Sequence, residues 1–160
     1  MNVNKTAAAV LGLSTVLLVS ACGSSSRKST PPAHNLSARM APHAVVTPNG
    51  KHFAVPASLR HATGAFSATL SGDNKLSWRL SYAKLGNQHL VVADIHIGPP
   101  GKFGPVLFRL CSSCTSGQNG VLTLKPSIAR QLIAEKHWVT LITDKYPNGV
   151  VRGQITVRVR

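Results

Sequence analysis

The residues best equipped for chemistry in this chain are Asp94 and His96, the Cys111-Ser112-Ser113-Cys114 run, and Cys22. Asp94 and His96 lie two apart in the alternating stretch 90–97, so they leave the same face of a strand. The opposite face carries Val91, Ala93, Ile95 and Ile97, is wholly apolar, and is the core candidate. A carboxylate beside an imidazole is raw material for a metal site or an acid–base pair, but each needs more. Zinc takes four ligands, usually at least three from protein. A Ser-His-Asp triad needs its base between acid and nucleophile, which side-by-side residues on one strand serve badly. The other histidines, His34, His43, His52, His61, His89 and His137, form neither H-x-H nor H-x-x-x-H. Only 4 Asp+Glu stand against 18 Lys+Arg, so hydrolysis by paired carboxylates has almost no material. The expectation is no catalytic residue, no metal and no cofactor.

The C-x-x-C has three readings. A zinc half-site needs a second ligand pair, and no second Cys pair exists. A thioredoxin-like site needs a βαβ context, which the surrounding pattern lacks. In an exported chain the default is a structural disulfide, Cys111 to Cys114. Export is what the beginning of the chain indicates. Lys5 precedes an apolar run from Ala7 to Val19, too short for a comfortable membrane span of about 20 residues. Val19-Ser20-Ala21-Cys22-Gly23 then resembles the bacterial lipobox, in which the Cys is lipidated and cleavage falls just before it. Residues 1–21 are thus expected to be a lipoprotein signal peptide. Cys22 is expected to hold the chain, extracytoplasmic, on the bacterial cell membrane.

Residues 22–50 are rich in Ser, Pro and Ala without a sustained apolar period and read as a flexible tether. From 51 to 160 short alternating runs are separated by turns. Hydrophobic residues make up 43% and aromatics 5%, so the core must rest on Val, Leu, Ile and Ala. One segment departs from period two: after Pro126, Ile128 and Leu132, and Ala129 and Ile133, are four apart, which predicts one short helix. Seven or eight strands around it predict an all-β fold, an antiparallel Greek-key-like sandwich or flattened barrel.

The runs 138–143 and 150–159 are expected to form a hairpin around Tyr146-Pro147-Asn148-Gly149. With Val139 and Leu141 on the core side, Thr140 and Ile142 share a face with Arg152 and Gln154. If the 90–97 strand neighbours this hairpin, Asp94, His96, Thr140, Arg152 and Gln154 make one surface patch. Asp94 is then the expected ion-pair partner of Arg152.

Three pieces carry a family resemblance: FSATLSG at 66–72, ADIHIGPPGKFGPV at 93–106 and WVTLITDKYPNGVVRGQI at 138–155. Together they resemble the chordin-type domain, CHRD, over roughly 51–160. The resemblance implies a β-sandwich in the style of the copper–zinc dismutases. Family members commonly carry His at the positions of Asp94 and Ile142, and Glu at the position of Val150. This chain keeps only His96 of the three family histidines, so any metal site those residues formed is mostly lost here.

The formal charge of +14 implies attraction to anionic surfaces. Basic residues are spread over the whole chain, stacking aromatics are few, and an exported protein does not meet intracellular nucleic acid, so nucleic acid is not the expected partner. The leading expectation is a non-enzymatic, membrane-anchored module that binds protein or anionic envelope polymer. The alternatives are a dismutase-style metal-dependent redox domain and a purely structural envelope lipoprotein.

Overall fold

The computed structural model describes residues 31–86 and 90–160. The expected signal segment and Cys22 lie outside them. Nine strands follow in chain order: β1 His34–Met40, β2 Thr63–Leu70, β3 Lys75–Ala83, β4 Leu90–Ile97, β5 Val106–Ser112, β6 Asn119–Thr123, β7 His137–Thr143, β8 Val151–Gln154 and β9 Thr156–Val159. One helix, α1 at Pro126–Ala134, joins β6 to β7, and two short 3₁₀ turns lie at Pro42–Ala44 and Ala57–Leu59. The strands form two antiparallel sheets, a five-stranded one ordered β6-β3-β2-β1-β9 and a four-stranded one ordered β5-β4-β7-β8. Strands β3 to β6 trace a Greek key: the chain crosses to the second sheet, makes a hairpin, and returns beside β3. The all-β sandwich with one α-helix is therefore what the alternating pattern predicted. Among the described residues no helix is long and apolar enough to cross a membrane.

The core lies between the sheets. Leu36, Phe66, Leu76 and Leu80 come from one side, and Ala93, Ile95, Val139, Leu141 and Val151 from the other. α1 starts at Pro126, where a fixed φ and a missing N–H suit a first helical turn, and buries Ala129 and Leu132 against the same core. Cys111 and Cys114 are bridged, at the point where the chain leaves the four-stranded sheet for the five-stranded one. Cys114 is buried, and its carbonyl accepts a hydrogen bond from the Tyr82 hydroxyl at 3.1 Å.

Two expectations are corrected. The domain does not begin at residue 51, because β1 occupies 34–40 of the supposed tether and lies between β2 and β9. Leu36, Ala38 and Met40 are buried while Asn35, Ser37 and Arg39 point out, a period-two signal only three residues deep. The run 150–159 is not one strand. β8 belongs to the four-stranded sheet, β9 to the five-stranded one, and the change occurs at Ile155. This corner is tight: a Cβ on Gly153 would meet the Arg39 carbonyl oxygen, so only glycine lets β8 approach β1 this closely.

Candidate functional site

The register places the expected patch residues in rows across the four-stranded sheet. Asp94 faces Arg109 on one side and Thr140 on the other, and Thr140 faces Arg152. The next row runs His96, Trp138, Gln154. Neighbouring strands β4, β7 and β8 thus bring all five predicted residues together. They do not, however, form a surface patch. Asp94 is 2% exposed, His96 6%, Thr140 buried and Arg152 3%.

The ion pair also differs from expectation. Arg109 Nε donates to Asp94 Oδ1 at 3.1 Å, while Arg152 lies two strands away, with Thr140 between. A direct cross-strand neighbour is about 5 Å away and a second neighbour about 10 Å, so Arg109 takes the carboxylate. Arg152 instead lays its guanidinium over the Trp138 ring, 3.7 Å from its centroid. His96 stacks on the same indole from the strand on the other side, centroids 3.9 Å apart and planes 11° from parallel. Trp138 is 1% exposed and is the centre of the layer. It had not been singled out, although parity with Thr140 places it on this face.

The layer is covered by the loop between β4 and β5, Gly98-Pro99-Pro100-Gly101-Lys102-Phe103-Gly104-Pro105. His96 Nδ1 donates to the Gly104 carbonyl at 2.9 Å. Arg152 Nη2 donates to Pro99 O at 3.4 Å, and Gln154 Nε2 donates to Gly98 O at 3.1 Å and His137 O at 2.8 Å. Phe103 sits over the stack, 6.2 Å from His96 and 6.1 Å from Trp138. Gly104 is required, since a Cβ there would meet the Ile97 carbonyl oxygen. The segment after β1 closes the other side: Ala41 and Arg152 exchange backbone hydrogen bonds of 3.0 and 3.1 Å, and Val45 and Val46 are buried beyond them.

Burial sets the electrostatics. It pushes the His96 imidazole below its ordinary pKa, against the opposing pull of the Gly104 bond and of Asp94. It lowers His137 in the same way, and brings Arg152 down to about 10. His96 is therefore neutral at physiological pH, with Nδ1 carrying the proton and Nε2 a buried lone pair. His96 Nε2, Trp138 Nε1 and Arg152 Nη1 have no hydrogen-bond partner among the described residues.

The three family histidine positions do converge, on the outer face of β4 and β7: Ile142 faces Val92, one row from Asp94, and His96 follows in the next. Here they hold an isoleucine, a carboxylate engaged by Arg109, and an imidazole stacked on indole. That donor set does not fit a dismutase-type metal. Among the described residues no three His, Cys, Asp or Glu side chains come together. What the arrangement does chemically is clamp a loop: an imidazole, a cation and an amide, gathered around an indole, hold its carbonyls.

The model of the CHRD domain matches residues 36–155. No curated protein and no solved structure gives a match. The match begins within β1 and ends at the corner after β8, so it takes in the clamped loop and all of the sandwich except β9 and the start of β1, and the chain belongs to the CHRD-domain family.

Proposed function

We propose that this CHRD domain is an extracytoplasmic, lipid-anchored, non-enzymatic module that binds anionic polymer or protein at the cell envelope. The observation that carries the reading is the disposition of charge. Two of the four carboxylates are already engaged, Asp73 by Lys75 at 2.8 Å and Asp94 by Arg109. Exposed cations such as Arg39, Arg60, Arg79, Lys102, Lys125 and Arg158 remain on many elements. A surface of this kind attracts polyanions through a field that salt screens, over about 8 Å at physiological ionic strength. The buried layer supports a binding role over catalysis, because its imidazole is stacked, neutral and shut off from solvent.

The test is retention of the purified full-length chain on an immobilised polyanion and on envelope extract, at low and physiological salt. Retention should fall steeply as salt rises, and a flat response overturns the electrostatic reading. In cells, Cys22→Ala should move the protein from the membrane fraction to the soluble one, and unchanged fractionation overturns the anchor.

A further inference from the structure

The five-stranded sheet has an outer face of a different kind. Its outward residues form rows set by the register: Arg158, Asn35, Thr69, Ser77 and Val121 in one, Thr156, Ser37, Ser67, Arg79 and Asn119 in the next, and Arg39, Ala65 and Ser81 in a third. A shallow depression on this face is lined by Asn35, Ser37, Ser67, Thr69, Ser77 and Arg79 among others.

We propose that this face is a docking surface for an anionic glycan, with Arg39, Arg79 and Arg158 binding its acidic groups and the hydroxyl and amide rows between them meeting its sugar hydroxyls. The inference rests on the polyanion reading above and assigns it a place.

The first argument is charge. None of the four acids lies among these rows. Asp94 is buried on the other sheet, Glu135 follows α1, Asp144 follows β7, and Asp73, in the turn before β3, is held by Lys75. Lys75 shares the outward parity but its charge is answered there. The three free cations of the rows are all arginines, whereas Lys51, Lys84, Lys102, Lys125, Lys136 and Lys145 lie outside the sheets. A guanidinium fork matches carboxylate and phosphate oxygens two at a time, and a lysine meets them as a point charge.

The second argument is shape. Between the arginines every side chain is small, so the sheet is open to an extended chain. At about 4.8 Å between strands and about 7 Å between successive outward residues, Arg39 and Arg79 stand about 12 Å apart, and Arg158 about 15 Å from either. Thr69 Oγ1 donates to Asn35 Oδ1 at 3.2 Å, and among the described residues Ser37, Ser67, Ser77 and Asn119 make no side-chain bond of their own. Those groups are available to hydroxyls. The surface lacks the aromatic anchors that centre a protein interface. Its one large apolar residue, Val121 at 62% exposure, stands on the edge strand, which leaves little to insert into a bilayer.

The experiment measures binding of the full-length chain to polygalacturonate, with neutral dextran and phosphatidylglycerol vesicles alongside. The triple variant Arg39→Ser, Arg79→Ser, Arg158→Ser should lose at least about tenfold in affinity. The charge-matched variant Lys102→Ser, Lys125→Ser, Lys136→Ser should lose less than about threefold. Ser67→Asp, which places a repelling carboxylate in the middle row, should also weaken binding and leaves the arginines intact should the triple variant fold poorly. Equal losses in the two triple variants, or no effect of Ser67→Asp, overturn the face while leaving polyanion binding standing. Failure of the wild type to bind polygalacturonate at low salt overturns the polyanion reading itself. Face-dependent binding to vesicles without binding to the polymer overturns the glycan as occupant.

Discussion

On β7 every residue from His137 to Leu141 is buried, whereas on β3 burial alternates, with Leu76, Trp78 and Leu80 inside and Ser77 and Arg79 outside. Each strand turns one face to the same core. The difference lies in what covers the other face: a loop and the segment after β1 on the four-stranded sheet, solvent on the five-stranded one. Polar residues respond accordingly. Under cover, Arg152 lies on an indole and its pKa drops to about 10, and His96 is held neutral. Arg79 and Ser77 stay in water, where their charge and hydroxyl cost the fold nothing. A polar residue at an outward position can therefore be a structural clamp or a free binding group, and its own strand does not say which.

The largest break in this comparison should come from Trp138→Ala. Removing the indole takes away the platform for both His96 and Arg152 and should cost about 3–5 kcal/mol in urea unfolding. Ser67→Ala, at an equivalent outward position on the open sheet, should stay within about 0.5 kcal/mol. Equal costs would mean that the two outer faces do not differ in kind.

A smaller effect is expected at the corner where the sheets meet. Gly153→Ala forces a methyl group against the Arg39 carbonyl and should cost about 1–3 kcal/mol, the range of overpacking. Ala65→Ser, on the open face opposite Arg39 on the neighbouring strand, should be nearly silent in the same melt.

The smallest effect is on pH dependence. His96 and His137 are both pushed by burial below the ordinary value of 6.5. As pH falls below 6.5 the unfolded chain takes up protons that the fold refuses, so stability should decline until the folded pKa values are passed. In His137→Phe the slope of Tm against pH between neutral and mildly acidic solution should flatten. An unchanged slope would assign the acid sensitivity elsewhere.

Much of this arrangement was legible in the chain. The faces of β4, the start of α1 at Pro126, the β7–β8 hairpin and the neighbourhood of Asp94, Thr140 and Arg152 all follow from period and turn chemistry. Cover was not legible. The loop after β4 is held by the carbonyls of Gly98, Pro99 and Gly104, which carry no side-chain signature, so residues 94, 96, 140 and 152 read as a surface. Arg109 was missed as the partner of Asp94 because β5 carries no polar alternation that fixes its register. β1 was missed because Leu36, Ala38 and Met40 lie in a Pro- and Ser-rich context. Trp138 falls on the clamp side by parity alone.

The pairing of β1 with β9 has a consequence in time. His34 faces Val159, and Arg160 N donates to Ala33 O at 2.9 Å, so among the described residues the first strand lies beside the last. Synthesis delivers β1 long before β9. Through that interval the edge of β1 from His34 to Ser37 stays open, with Leu36 lacking its eventual neighbour Val157. Contacts between such distant parts of a chain form late and slow folding. An unpaired edge invites wrong partners meanwhile. The five-stranded sheet is complete only once β9 has paired with β1, so closing that edge belongs to the late steps of folding.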